Sequence, residues 1–338
     1  MKTTTLTLLM AGLSFNAFAI ENGTSVSWNN YDDIVKAYNN DKSSECSGTV
    51  IAGKFVLTAA HCVADSVTTM SNVQLSPNHN VNISSFTAHT NYIPDTDDYT
   101  GYDVAVITLT QSANTKNIHF FADLTKDTVK VNDPLFLFGF GRTNLNLNYA
   151  SFTMVNLNKN PADRLDGKQI NASKSTGGDS GGPWLNNKQE IVSVHKASSS
   201  FTDGRTETYS TNLFYLNDFI LKEINGWHYP TLANTSNGTA TITVQSLHQN
   251  NVADNATTSG DAQIIGGTCL DQVINPYEKC TYIIESQGGI GTIHLSDNES
   301  IAINKPTPTP ESGGGDSGGS LGFLSLIGLL GLGLIRKK

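Results

Sequence analysis

Residues 177–184 read Gly-Gly-Asp-Ser-Gly-Gly-Pro-Trp and place one hydroxyl group, Ser180, among four glycines. Glycine permits a tight turn and lets another backbone approach closely. The segment therefore favours a serine that can meet a bound peptide, although a plain glycine-rich turn is the alternative. Residues 315–319 repeat Gly-Asp-Ser-Gly-Gly with no strand before them and no Pro-Trp after them. We interpret Ser317 as part of a spacer.

A nucleophilic serine needs a base, a group that orients the base, and donors for the developing oxyanion. Residues 58–62, Thr-Ala-Ala-His-Cys, follow a predicted apolar strand and supply His61. Asp103 opens another apolar strand over 103–109, where a buried carboxylate requires a partner. Taken singly, His61 could be a packed side chain and Asp103 a turn or cap residue. Their occurrence together with Ser180 favours a catalytic site.

The three segments resemble the trypsin and chymotrypsin family, in the same chain order of His, Asp and Ser. The resemblance covers roughly residues 20–225. It implies an all-β fold of two antiparallel six-stranded β-barrels with the active site between them and a helix at the end. It also implies Ser180 as nucleophile, His61 as general base, Asp103 as the group orienting it, and the N–H groups of Gly178 and Ser180 as oxyanion hole.

The family also implies an activating ion pair. Its members are cut to expose an Ile-led amino terminus, whose ammonium pairs with the aspartate before the nucleophile, here Asp179. Ile20 follows the cleavage site expected after Ala19, so signal removal would itself create that ammonium. Earlier signal cleavage, leaving a short pro-peptide, is the alternative.

Alignment of this sequence with the family also implies a substrate pocket. Lys174 would lie at its base with Ser175 beside it, and Glu207 would form another wall. Ser193 would offer its carbonyl to the substrate backbone, and His195 would stand where many relatives have glycine. A cationic base favours acidic substrates, unless Lys174 and Glu207 pair with each other or face solvent.

Four cysteines allow three disulfide pairings, and short separations favour Cys46 with Cys62 and Cys269 with Cys280. Neither pair has zinc-ligand spacing.

The sequence departs from the family at Thr176, which stands where the family commonly has a further cysteine. The acidic run over 95–98 lacks the pattern of a known calcium loop. We assign no metal and no cofactor.

Composition shifts along the chain indicate how it is divided. Residues 20–229 form the predicted protease domain, and new alternating runs over 231–304 predict a small Ig-like β-sandwich module. The Pro-, Gly- and Ser-rich stretch 305–320 is a predicted linker. The net charge of -9, with no cationic block in the body, argues against nucleic acid as a partner.

Both ends indicate export. Residues 1–19 have a basic start, an apolar stretch and a small-x-small ending, which predicts a signal peptide. Residues 321–338 join a short apolar segment to a basic tip and, behind the Gly-rich stretch, resemble the GlyGly-CTERM tails of Gram-negative bacteria. That resemblance implies tail removal by a rhombosortase-type protease during type II secretion. An ordinary anchor is the alternative, but the apolar segment is short for the roughly 30 Å hydrocarbon core.

The sequence therefore predicts a secreted serine endopeptidase that acts on protein or peptide substrates and encounters signal peptidase on export. The alternative is a catalytically dead, adhesin-like surface protein that binds through residues 231–304.

Overall fold

The computed structural model describes residues 20–66, 70–94, 101–141, 146–155, 163–200, 202 and 206–306. The predicted signal peptide, the hydrophobic tail and nearly all of the predicted linker lie outside these residues. In the part of the chain that is described, no helix has the length and apolar character needed to cross a membrane.

The first barrel is closed by six antiparallel strands in the order β2-β3-β4-β7-β6-β5. These strands are β2 (Ile34–Tyr38), β3 (Glu45–Ile51), β4 (Phe55–Thr58), β5 (Asn72–Ser76), β6 (His79–Ala88) and β7 (Ala105–Leu109). Strand β7, which pairs with β4 on one side and β6 on the other, is almost wholly buried. A short 3₁₀ turn, Ala60–Cys62, follows β4.

The second barrel closes in the order β9-β10-β13-β12-β11-β8, with β8 also paired to β9. Its strands are β8 (Pro134–Gly139), β9 (Leu147–Val155), β10 (Arg164–Gln169), β11 (Pro183–Leu185), β12 (Ile191–Ser200) and β13 (Thr206–Asn212), and β1 (Thr24–Val26) adds to the edge of β9. Trp184 and Phe152 stack in its core with ring centroids 5.4 Å apart. Burying such large rings contributes about 1.5–3 kcal/mol each.

Two 3₁₀ turns and one helix complete the body: Trp28–Asn30, Leu213–Leu216 and α1 (Asn217–Ile224). Helix α1 ends at Asn225, whose left-handed φ of 43° stops the helix. The two six-stranded barrels and the closing helix confirm the fold predicted from the sequence.

Two further four-stranded sheets form the module, in the orders β14-β16-β19-β18 and β15-β21-β20-β17. Their strands are β14 (Trp227–His228), β15 (Leu232–Ala233), β16 (Thr239–Ser246), β17 (Thr257–Gly260), β18 (Gln263–Gly266), β19 (Lys279–Glu285), β20 (Gly291–Ser296) and β21 (Glu299–Ile303). Strands β19 and β20 alternate buried and more exposed residues, as strands with one core face do. The module sheet already begins at Trp227, before the predicted boundary at 229.

Buried polar contacts join the module to the barrels. The Gln245 side chain is fully buried; it accepts the N–H of Phe121 at 2.9 Å and donates to the carbonyls of Phe121 and Tyr277 at 2.9 Å each. His228 donates from Nε2 to the His119 carbonyl at 2.9 Å. The barrels, the helix and the module belong to one compact unit that extends to residue 305.

Candidate active site

His61 is positioned by the 3₁₀ turn after β4 and by a disulfide. Cys62, the next residue, is bonded to Cys46 on β3, which ties the turn to the barrel wall. Pairing of β4 with β7 brings Asp103 alongside. Asp103 Oδ2 lies 2.8 Å from His61 Nδ1, and Asp103 Oδ1 accepts the backbone N–H of His61 at 2.9 Å. The carboxylate therefore fixes both the ring and the backbone of the histidine.

Burial and charge act against each other in this pair. Burial disfavours the protonated imidazole of His61, but the Asp103 charge and hydrogen bond outweigh it and raise the pKa of His61 above its usual value. Burial also opposes ionisation of Asp103, yet its contacts with His61 lower the pKa of that carboxyl. Asp103 is thus held as a carboxylate, and it can orient the ring and stabilise its protonated form.

Ser180 lies in the turn before β11, across the groove from the first barrel. The N–H of Ser47 donates to the Ser180 carbonyl at 2.7 Å, and the N–H of Gly181 donates to the His195 carbonyl at 2.8 Å. These bonds hold the turn on both sides. Ser180 and His61 line one groove with a volume of about 560 Å³. The structure thus brings all three predicted catalytic residues to the junction of the barrels.

Gly178 has a φ of +99°, a conformation that side-chain-bearing residues rarely adopt. A Cβ there would also collide with the Gly141 carbonyl. The hydroxyl of Ser47 donates to the Gly178 carbonyl at 2.9 Å and accepts the N–H of Phe140 at 3.1 Å. Ser47 on the first barrel thus holds the turn that contains Ser180. Sequence reasoning did not identify Ser47, because its contacts are far away along the chain.

Asp179 is fully buried beside Ile20. Its carboxylate accepts the N–H groups of Gly141 and Thr176 at 2.7 and 2.8 Å, and the backbone N–H of Ile20 also bonds to it. Burial raises the pKa of Asp179 to about 7, although these backbone hydrogen bonds oppose the increase. The residues expected to form the activating ion pair are therefore neighbours.

Lys174 contacts Glu21 instead of Glu207. Its ammonium lies 3.0 Å from the Glu21 carboxylate in a largely exposed pair, and the two backbones form an isolated β-bridge. Glu207, on β13, accepts the hydroxyl of Tyr209 at 3.3 Å. Ser175 is buried, and its Oγ has no hydrogen-bond partner among the described residues. The mutual pair considered for Lys174 and Glu207 is therefore not the contact observed.

Ser193 and His195, on β12, are both buried. The Ser193 hydroxyl donates to Ser210 Oγ at 2.8 Å, on the neighbouring strand. Burial lowers the pKa of His195 to about 3, so the ring is neutral. The Ser180 hydroxyl donates to the carbonyl of Lys196 at 3.4 Å. The alignment from sequence did not single out Lys196, which follows five buried positions on β12.

Cys46, His61 and Cys62 have potential ligand atoms within 4.8 Å of one another. Both sulfurs are engaged in a disulfide, so neither is a thiolate that could bind a metal. The second predicted pair, Cys269 and Cys280, is also disulfide-bonded. Such bonds persist in oxidising compartments such as the periplasm and the extracellular space. The acidic run over 95–98 lies outside the described residues.

Comparison with known proteins extends these observations. The Trypsin family model matches residues 20–220, well over half of the chain. The chain belongs to the trypsin family. Members of that family are typically serine endopeptidases, and the matched region contains the groove and all three predicted catalytic residues.

Similar proteins include the chymotrypsin-like elastase family member 1 of Bos taurus, 31% identical over 136 residues. That match covers 37% of this chain and spans about half of the bovine relative, 51% of its length. Mouse neuropsin, a serine protease, has the same fold, with a TM-score of 0.50 at 19% identity over 60% of this chain and 98% of its own. The secreted serine protease VesC of Vibrio cholerae has a TM-score of 0.49 at 17% identity and covers 83% of this chain and 70% of its own.

Proposed function

We propose that this protein is a secreted serine endopeptidase that hydrolyses peptide bonds in proteins through an acyl-enzyme on Ser180. The observation that carries the proposal is the 2.8 Å contact between His61 Nδ1 and Asp103 Oδ2, made at the groove that Ser180 also lines. Nδ1 is occupied by the carboxylate, so Nε2 is the ring nitrogen available to accept the serine proton.

In the proposed reaction Ser180 Oγ forms a bond to the substrate carbonyl carbon while His61 takes the hydroxyl proton. The carbonyl oxygen becomes an oxyanion, for which the N–H groups of Gly178 and Ser180 are the proposed donors. His61 then gives its proton to the departing amine as the peptide bond breaks. Water repeats the sequence on the acyl-enzyme and releases the carboxylic acid. No cofactor is required.

We infer that Ile20 activates the enzyme once it becomes the amino terminus. Burial alone disfavours a carboxylate at Asp179, and an ammonium next to it would offset that cost. The backbone nitrogen of Ile20 already contacts this carboxylate, so signal peptidase cleavage after Ala19 would place a cation there. We also propose that the protein is exported through type II secretion and that a rhombosortase-type protease removes its tail.

The decisive experiment replaces the nucleophile. Ser180→Ala should abolish both peptide hydrolysis and labelling by a serine-directed phosphonate, because the base then has no hydroxyl to activate. Ser317→Ala is the matched control, since it alters the same Gly-Asp-Ser-Gly-Gly sequence outside the predicted domain, and it should change neither readout. Undiminished labelling of Ser180→Ala, or loss of activity in Ser317→Ala, would disprove the assignment.

A further inference from the structure

Asp103 lies at the centre of a tight turn just before β7. The N–H of Val104 donates to the carbonyl of Tyr102 at 2.8 Å, which closes a three-residue turn around Asp103. Tyr102 has a φ of +65°, a left-handed conformation that residues with a side chain rarely adopt. Such a conformation persists only where the surrounding structure fixes it. The direction of the Asp103 carboxylate therefore depends on the groups that hold Tyr102.

A buried carboxylate of the second barrel holds Tyr102. Asp163, directly before β10, is 4% exposed, and its Oδ2 accepts the backbone N–H of Tyr102. Gly101 packs against the same side chain, because a Cβ there would collide with the Asp163 carboxylate. The backbone carbonyl of Asp163 accepts the N–H of Asn212 on β13 at 2.6 Å, so Asp163 is itself anchored to the barrel.

The second barrel contacts the same turn at one more point. The Thr211 hydroxyl on β13 donates to the Asp103 carbonyl at 3.5 Å. Thr211 pairs with Arg164, the residue after Asp163, so both contacts come from the same end of the β10–β13 pair. Asp103 precedes a strand of the first barrel, yet its backbone is held from the second barrel, which also contains Ser180.

We propose that Asp163 is a positioning residue for the reaction, because it fixes the turn that aims the Asp103 carboxylate at His61. This inference rests on the proposed function, in which Asp103 orients the base. The Asp103 carboxylate bonds to the N–H and Nδ1 of His61 at 2.9 and 2.8 Å, and both bonds depend on the orientation of the turn. Without the Asp163 contact they would lengthen, and the imidazole would lose the tautomer that leaves Nε2 free for the serine proton.

The first test removes the carboxylate. Asp163→Ala should lower kcat by about 10- to 100-fold, as a misplacement near 1 Å does, while KM changes by less than about threefold because no substrate contact is lost. Asp163→Asn should retain most of the activity, because an amide oxygen can still accept the Tyr102 N–H. The matched control, Asp33→Ala, also removes a fully buried carboxylate that accepts a backbone N–H, that of His119 at 2.7 Å. It should lower the free energy of unfolding but leave kcat unchanged.

A second readout follows the His61 imidazole and needs no turnover. Burial lowers the pKa of His61, and Asp103 raises it more. A displaced Asp103 would raise it less, so NMR titration of Asp163→Ala should give a lower pKa for His61 than in wild type. Asp65 and Lys196 also act on this ring, and Asp163 is not one of these charges. A lower pKa thus reports movement of Asp103, and Asp163→Asn and the control should leave it unchanged.

Gly101→Ala tests the contact from its other side. The added methyl would push on the Asp163 carboxylate, so this change alone should lower kcat by about tenfold. In an Asp163→Ala background the methyl has room and should add no further loss.

Wild-type kcat and an unchanged His61 pKa in folded Asp163→Ala, or additive losses with Gly101→Ala, would overturn this inference alone. If Asp163→Ala fails to fold, wild-type kcat and His61 pKa in Gly101→Ala would overturn it in the same way. A wild-type protein that neither cleaves any peptide nor reacts with the phosphonate would overturn the proposed function, and the inference with it.

Discussion

The protonation state of His61 determines the pH range in which the proposed enzyme works. Burial lowers the pKa of this imidazole, but Asp103 outweighs it and the net pKa is raised. A general base must be neutral, so the acid limb of activity should lie above the ordinary histidine value of about 6.5. Asp103→Asn removes that charge, so the limb should move to lower pH. It should also lower kcat by about 10⁴, because an amide stabilises the wrong imidazole tautomer.

A pH profile of kcat and kcat/KM checks both expectations. Asp65→Asn is the control, because Asp65 also raises the pKa of His61 without contacting Nδ1. It should shift the acid limb in the same direction while kcat remains within about tenfold. A loss of only tenfold in Asp103→Asn would mean that another group orients the base.

At the level of elements, β8 supports the turn that contains Ser180. Gly139 ends β8, and a Cβ at this position would collide with the buried Asp179 carboxylate. Gly139→Ala should therefore displace Asp179 and the adjoining nucleophile. We expect kcat/KM to fall by about 10²-fold, the loss that a misplacement near 1 Å can cause.

Peptide hydrolysis and thermal unfolding, measured on the same preparation, test this prediction. Gly266→Ala on β18 is the matched control, because the nearest atom to its added Cβ would be Ile283 Cδ1 at an ordinary 3.7 Å. Wild-type kinetics in Gly139→Ala would show that the position of Asp179 does not determine the position of Ser180 in its turn.

For the whole molecule, the module contacts decide whether the barrels are stable without it. Gln245 satisfies both backbone groups of Phe121, and Lys279 forms a 2.6 Å ion pair with Glu190 of the barrel. Gln245→Leu would leave the N–H and carbonyl of Phe121 buried without this partner. We expect the free energy of unfolding to fall by about 2–4 kcal/mol. Denaturant unfolding of the full chain measures it.

The control, Gln263→Leu, makes the same substitution on the exposed edge of β18 and should change stability by no more than about 0.5 kcal/mol. A chain that ends at Tyr229 tests whether the barrels fold and work without the rest of the module. Unchanged stability and full hydrolysis in that shorter chain would make the module an independent unit. Loss of both would make it part of the protease fold.

The family and its fold could be predicted from sequence because short segments specify them. His61, Asp103 and Ser180 each lie in a distinctive local pattern, and their order along the chain needs no knowledge of tertiary contacts. Alternating burial in strands such as β19 follows from a period of two residues. Cys46 and Cys62 are close along the chain, so their bond follows from proximity.

Only the tertiary structure decided which charged and polar groups meet. Glu21 and Ser47 each contact a partner more than a hundred residues away along the chain, Lys174 for Glu21 and the turn at Gly178 for Ser47. The bulge at Lys196 adds one residue to β12, and an added residue shifts the pairing of the strand with β13. Pairings and registers of this kind depend on the closed barrels, so no local pattern in the sequence contains them.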